Sequence, residues 1–155
     1  MAGERSGFLV ALDILSRRDQ SEAELLRKLA RKGVGAEEAA AALSRLRELG
    51  YLDDRRLAGR LAESAVASGR MVGYRLRGEL IRRGIPAALA EEALAASTED
   101  YDERSAVAEL LSRKFPGFEP ATAAPKEKRR IVAWFQRRGF PLSAVLETLR
   151  VSADE

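Results

Sequence analysis

The side chains of this 155-residue chain that could do chemistry are chiefly its 27 lysines and arginines and its 24 aspartates and glutamates. Histidine and cysteine are both absent. That removes the commonest general base, the commonest transition-metal ligand, every disulfide and every thiolate nucleophile. Carboxylates would have to supply any acid catalysis or metal binding, and the adjacent pair Asp53-Asp54 is the one that invites it. Two acids just ahead of an apolar-periodic segment read better as a helix start, where they accept from free amides and complement the helix dipole. The stretches Gly33-Val34-Gly35 and Gly69 to Gly73 lack the phosphate-loop pattern and the strand such a loop needs, so they read as caps and turns. No catalytic residue, metal site or cofactor is expected, and no enzyme.

Charge is what remains. Three short windows hold 14 of the 27 basic residues. They are Arg27, Lys28, Arg31 and Lys32; then Arg75, Arg77, Arg82 and Arg83; then Lys126, Lys128, Arg129, Arg130, Arg137 and Arg138. Only Glu79 and Glu127 oppose them there, and Arg70 lies just ahead of the second window. The net charge is only +3 because acids gather elsewhere, at Glu37, Glu38 and Glu48 and at Glu91 and Glu92. One basic stripe is usually a solvated helix face. Three recurring stripes read as a discontinuous surface for an anionic partner, either nucleic acid or an acidic protein groove. Trp134 sits inside the third window and Tyr74 directly ahead of the second. Each serves either as cover for a neighbouring helix or as an aromatic contact, an anchor or a stacking platform for a base.

A repeat supplies the elements that must position these residues. Leu25 to Val34, Leu76 to Ile85 and Ile131 to Phe140 share one pattern: apolar residues four apart, then two basic residues, a glycine and an apolar residue. Apolar positions at i, i+4 and i+5 predict one buried stripe, with Arg27, Lys28, Arg31 and Lys32 opposite residues 25, 26, 29 and 30 in the first copy. The basic pair suits the negative end of the helix, and the glycine takes a left-handed cap. A further helix follows each cap: Ala36 to Leu49, and two more with Pro86 and Pro141 at the first helical position. One also precedes each copy, from about Phe8 to Ser16, from Asp53 or Asp54 toward Gly69, and from Asp100 or Asp102 toward Pro116. Ser21-Glu22-Ala23-Glu24 is a capping-box sequence at the start of the first copy.

The predicted fold is all-α: nine helices in three tandem three-helix repeats, helix-turn-helix-like units in a curved, elongated array. The repeats are expected at residues 1–52, 53–97 and 98–155, with a proline-rich loop at 116–125 and fraying from Val151 to Glu155. Met1 to Gly7 contains no apolar signal core, and no apolar run approaches the roughly 20 residues of a membrane span. A cytoplasmic protein with no membrane association is expected.

The motifs in order resemble the RecX family. Leu49-Gly50-Tyr51-Leu52-Asp53-Asp54-Arg55-Arg56-Leu57-Ala58 is similar to its Gly-Tyr-Leu-(Asn/Asp)-Asp…Phe-Ala hallmark, with Leu57 where phenylalanine is usual. Gly73 to Ile85 is similar to the segment that ends Glu-Leu-x-x-(Lys/Arg)-Gly-(Ile/Val). Leu111 to Phe115 and Phe135 to Phe140 resemble the third unit. The resemblance implies a regulator, expected to be monomeric, that binds a RecA-type recombinase as monomer and as nucleoprotein filament. It further implies slowed ATP hydrolysis and strand exchange, disturbed filament growth, weak nonspecific binding to single- or double-stranded DNA, and a place in recombination, DNA repair and the SOS response. It carries over no catalytic residue, and the basic residues named above rest on charge alone.

Two other readings compete. Residues 11–52 also suit a helix-turn-helix or winged-helix transcriptional regulator, but a wing needs a strand pair where Asp53-Asp54 opens an amphipathic helix. A hydrolase working through carboxylates alone is the third.

Overall fold

The computed structural model describes residues 6–154, with side chains as far as Arg150. Met1 to Arg5, where a leader was sought, and the side chains of Val151 to Glu155, where fraying was expected, lie outside the described residues. Among the described residues the fold is all-α, with nine helices and no strand. They are α1 (Gly7–Arg17), α2 (Glu22–Arg31), α3 (Ala36–Glu48), α4 (Asp54–Ser68), α5 (Gly73–Arg82), α6 (Ala87–Ser97), α7 (Glu103–Lys114), α8 (Pro125–Arg137) and α9 (Leu142–Asp154). Helix α4 occupies the place where a winged-helix protein would need its strand pair.

The helix starts follow the local chemistry with small shifts. Ser21 and Glu24 form the expected capping box on α2. At α4 the cap is Asp53, whose Oδ1 accepts from the Arg56 amide at 3.0 Å, and Asp54 is already inside the helix. Asp102 caps α7 through the Ser105 amide. The prolines sit one place earlier than expected. The carbonyls of Pro86 and Pro141 accept from Ala90 and Val145, which makes them caps of α6 and α9 rather than first helical residues. Pro125 does open its helix, so the proline-rich loop ends at Ala124.

Each repeat glycine stops its helix as the pattern requires. Gly33, Gly84 and Gly139 have φ of 83°, 84° and 98°. The next residue's amide reaches back five positions: Val34 to Leu29 at 3.0 Å, Ile85 to Leu80 at 3.0 Å and Phe140 to Phe135 at 3.2 Å. These bonds satisfy carbonyls that would otherwise be orphaned at the helix end.

The buried stripe is narrower than periodicity predicts. Positions i and i+4 are buried in all three copies (Leu25 and Leu29, Leu76 and Leu80, Ile131 and Phe135). Position i+5 is exposed in all three, as Ala30, Ile81 and Gln136. Leu26 is exposed too, while Lys28 is half-buried, so the first copy's apolar and basic faces are not cleanly opposed. Leu57, the departure from the phenylalanine of the hallmark, is buried, a volume-compatible core residue.

The chain packs as two compact units, and the division runs through α4, α5 and α6. Unit 1 comprises residues 1–61 and 79–93. One cluster in it gathers Ala11, Ile14, Leu25, Leu29, Ala39, Leu43, Leu46 and Leu52 from α1 to α3 and the turn that follows. Unit 2 comprises residues 62–78 and 94–155. Val72, Val107, Leu110, Ile131, Phe135, Phe140 and Val145 form its core.

Candidate partner-binding site

Both units contain the same kind of junction, in which the glycine stop of one repeat docks on the start of the preceding repeat's basic helix. In unit 1 the Ser21 hydroxyl donates to the Arg83 carbonyl, and Gly84 lies so close to Ala23 that a Cβ there would sit 2.7 Å from the alanine methyl. In unit 2 the Val72 amide donates to the Arg138 carbonyl at 2.8 Å. A Cβ on Gly139 would fall 2.0 Å from the Val72 carbonyl oxygen. Ser21 and Val72 are equivalent in the repeat, as are Arg83 and Arg138. Carbonyls at the negative end of one helix thus meet donors at the positive end of another.

The junctions differ in charge. In unit 1 Arg83 turns inward onto Glu24, Nε to Oε2 at 2.9 Å and Nη2 to Oε1 at 3.1 Å, and donates to the Asp19 carbonyl. Both side chains are largely covered, at 13% and 15% exposure. Arg83, one of the basic residues expected to face a partner, thus neutralises a largely covered carboxylate. Arg82 is exposed and forked onto Glu79 on its own helix.

In unit 2 the equivalent of Glu24 is Arg75. Arg75 and Arg137 are both exposed, and neither has a carboxylate partner among the described ion pairs. Tyr74, at 70% exposure, donates its hydroxyl to the Gln136 carbonyl at 3.1 Å. The start of α5 and the end of α8 thereby bring one aromatic ring and two uncompensated arginines together from different repeats. Arg138 is not part of this group. Its guanidinium lies 3.5 Å over the Trp134 ring and donates to the Trp134 carbonyl; burial first, then Arg137, lowers its pKa.

Trp134 is half-buried, meeting Phe115 edge-on at 5.3 Å where the chain leaves α7 for the proline-rich loop. It therefore covers that loop's root, the structural alternative of the two readings open for it. Of the other basic residues, Arg27, Arg31, Lys32, Arg70, Arg77, Lys126, Arg129 and Arg130 are exposed and Lys128 is half-buried. Arg77 has a partner of its own. Sequence counting could not rank these arginines, because the bond that removes Arg83 spans 59 residues.

The Asp53-Asp54 pair resolves into two caps. Asp53 serves its own helix, while Asp54, 7% exposed, accepts from the Glu22 amide at 2.9 Å and so serves α2. Burial raises the Asp54 pKa against that hydrogen bond, helped by Glu22, Asp53 and Glu24. Among the described residues no group of three or more carboxylates could hold a metal, and no helix is long and apolar enough to cross a membrane.

The Glu24 carboxyl behaves oppositely to Asp54. Burial pushes it up, but the Arg83 hydrogen bond and charge and the Ser21 amide outweigh this and hold it below its ordinary 4.5. Its ionised form therefore stabilises the fold fully above that value, and the contribution is lost as pH falls through the depressed pKa. Glu24→Gln keeps the capping acceptor and loses the charge. The variant is expected to be about 1–2 kcal/mol less stable at neutral pH, with the gap closing as the pH falls through the depressed carboxyl pKa, in urea denaturation.

Comparison with known proteins agrees with this architecture. A family model described as RecX, first three-helix domain, matches residues 8–46, and one described as RecX, second three-helix domain, matches residues 53–94. A regulatory protein RecX from Trichlorobacter lovleyi is 42% identical over 133 residues, covering 86% of each chain. One from Thermus thermophilus is 37% identical over 146 residues, covering 94% of this chain and 91% of the other. The crystal structure of RecX from Lactobacillus salivarius superposes with a TM-score of 0.70 at 18% identity, over 96% of this chain and 94% of that one. At that identity the superposition speaks for the fold alone.

Proposed function

The chain belongs to the RecX family of regulatory proteins, and we propose that it acts by binding a RecA-type recombinase, as monomer and as DNA-bound filament. On this reading it slows ATP hydrolysis and strand exchange and restrains filament growth in recombinational repair and the SOS response. It binds single- or double-stranded DNA only weakly and nonspecifically, works as a cytoplasmic monomer, and catalyses nothing itself.

The observation that carries this reading is the unit 2 junction, where Tyr74, Arg75 and Arg137 stand together without a carboxylate. Exposed arginines beside an aromatic ring suit a protein–DNA filament, which offers acidic side chains, phosphates and bases within one groove. Rim charges of this kind act mainly on association rate and salt dependence. The rest of the basic set, Arg27, Arg31, Lys32, Arg70, Lys126, Arg129 and Arg130, adds a diffuse attraction that no single residue dominates.

The test is a comparison of two ligands by fluorescence anisotropy: labelled single-stranded DNA alone, and the same DNA coated with recombinase and a slowly hydrolysed ATP analogue. Binding to the filament is expected to be at least about tenfold tighter, with both affinities falling as salt rises. Equal affinity for naked DNA, or marked preference for one operator sequence, would return the protein to the transcription-factor reading.

A further inference from the structure

Unit 2 has a second feature, which meets the junction only at Gln136. Helices α8 and α9 enclose an open trough of about 550 Å³, floored by Val132, Ala133, Leu146 and Leu149. That size falls within the roughly 300–1,000 Å³ common to ligand-binding clefts. Its rim is basic: Lys128 and Arg129 on α8, Arg150 on α9. Lys128 and Arg150 stand eleven residues on either side of Gly139, so the cations gather at the end of the trough remote from the glycine turn.

Among the described residues no carboxylate lines the trough. Glu147, the acid nearest to Arg150 on α9, is held by Arg104 at 2.7 Å. None of the three rim cations has an ion-pair partner among the described residues. An apolar floor with three uncompensated cations at one end is complementary to a ligand that is apolar along its length and anionic at one end.

We propose that this trough docks an acidic amphipathic segment of a partner protein. The segment's apolar side chains, at i, i+3, i+4 and i+7 spacing, seat between α8 and α9. Its carboxylates meet Lys128, Arg129 and Arg150. A nucleic acid would leave the apolar floor unused. A fatty acid would bring one carboxylate to three cations and leave its chain half in water in an open trough. The proposal concerns the chemistry of a docking segment and stands whether or not the recombinase reading holds.

The experiment uses the full chain and a fluorescein-labelled synthetic peptide, leucine at those helical positions and glutamate at the others. Saturable binding is expected, weakened at least about tenfold by Lys128→Glu with Arg150→Glu, and as much by replacing the peptide's glutamates with glutamine. Val132→Asp should do the same through the floor. If that variant loses its melting transition, the rim pair, both solvent-accessible, decides. Amide shift changes in NMR spectra should fall on α8 and α9. Shifts confined to Tyr74 and Arg75, or unchanged binding by the rim pair, would overturn the proposal. Displacement of the peptide by oleate at lower concentration would instead assign the trough to an acyl chain.

Discussion

Alanine at position 139 is expected to cost at least about 3 kcal/mol, whereas alanine at the equivalent position 33 costs about 1. Both glycines have left-handed φ, 98° and 83°, so both substitutions carry the backbone strain. Only Gly139 carries the second term. Its Cβ would lie 2.0 Å from the Val72 carbonyl oxygen and 3.0 Å from the Arg75 Cβ. A backbone oxygen cannot swing away like a side-chain tip, so α5 and α8 would have to part. At position 33 nothing lies within 4 Å. Chemical denaturation of the two variants beside wild type checks the ranking. Equal losses would mean that these glycines serve only as helix stops and that the junction contributes nothing.

The second large effect concerns binding. Tyr74→Ala with Arg75→Glu and Arg137→Glu is expected to weaken binding to the recombinase filament at least about tenfold, with stability held within about 1 kcal/mol. The stability clause follows from exposure: all three side chains are solvated, and only the Tyr74 hydroxyl bond is lost. Arg83→Glu would make a poor probe, because it places two carboxylates together where Arg83 and Glu24 now pair. That variant should unfold more readily and report on folding rather than binding. Unchanged filament affinity in the triple variant, measured alongside an intact melting transition, would move the interface away from the α5–α8 junction.

These contrasts show what a linear reading captures. Helix starts and stops are local chemistry, so Ser21, Asp53, Asp102 and the glycines at 33, 84 and 139 announce themselves within a few residues. The repeat announces the three triplets for the same reason. Periodicity overreached at Ala30, Ile81 and Gln136, since only positions i and i+4 of the pattern are buried in every copy. What the chain conceals is long-range. Gly84 and Gly139 look like Gly33, yet they are docking surfaces as well as stops. Arg83 looks like any other basic residue until Glu24, 59 positions away, meets it. One trace of the difference is present in the repeat itself: Glu24 aligns with Arg75, and that exchange converts a neutralised junction into a positive one. Asp54 likewise looks like a cap for its own helix and instead caps α2.

The most direct test of the account is a recombinase ATPase assay on single-stranded DNA with increasing amounts of this protein, at low and moderate salt. The account predicts a progressive fall in ATP hydrolysis at well below one protein per recombinase, lost in the Tyr74, Arg75 and Arg137 triple variant and retained in the Gly33→Ala control. Undiminished hydrolysis and strand exchange at excess protein and low salt would contradict it.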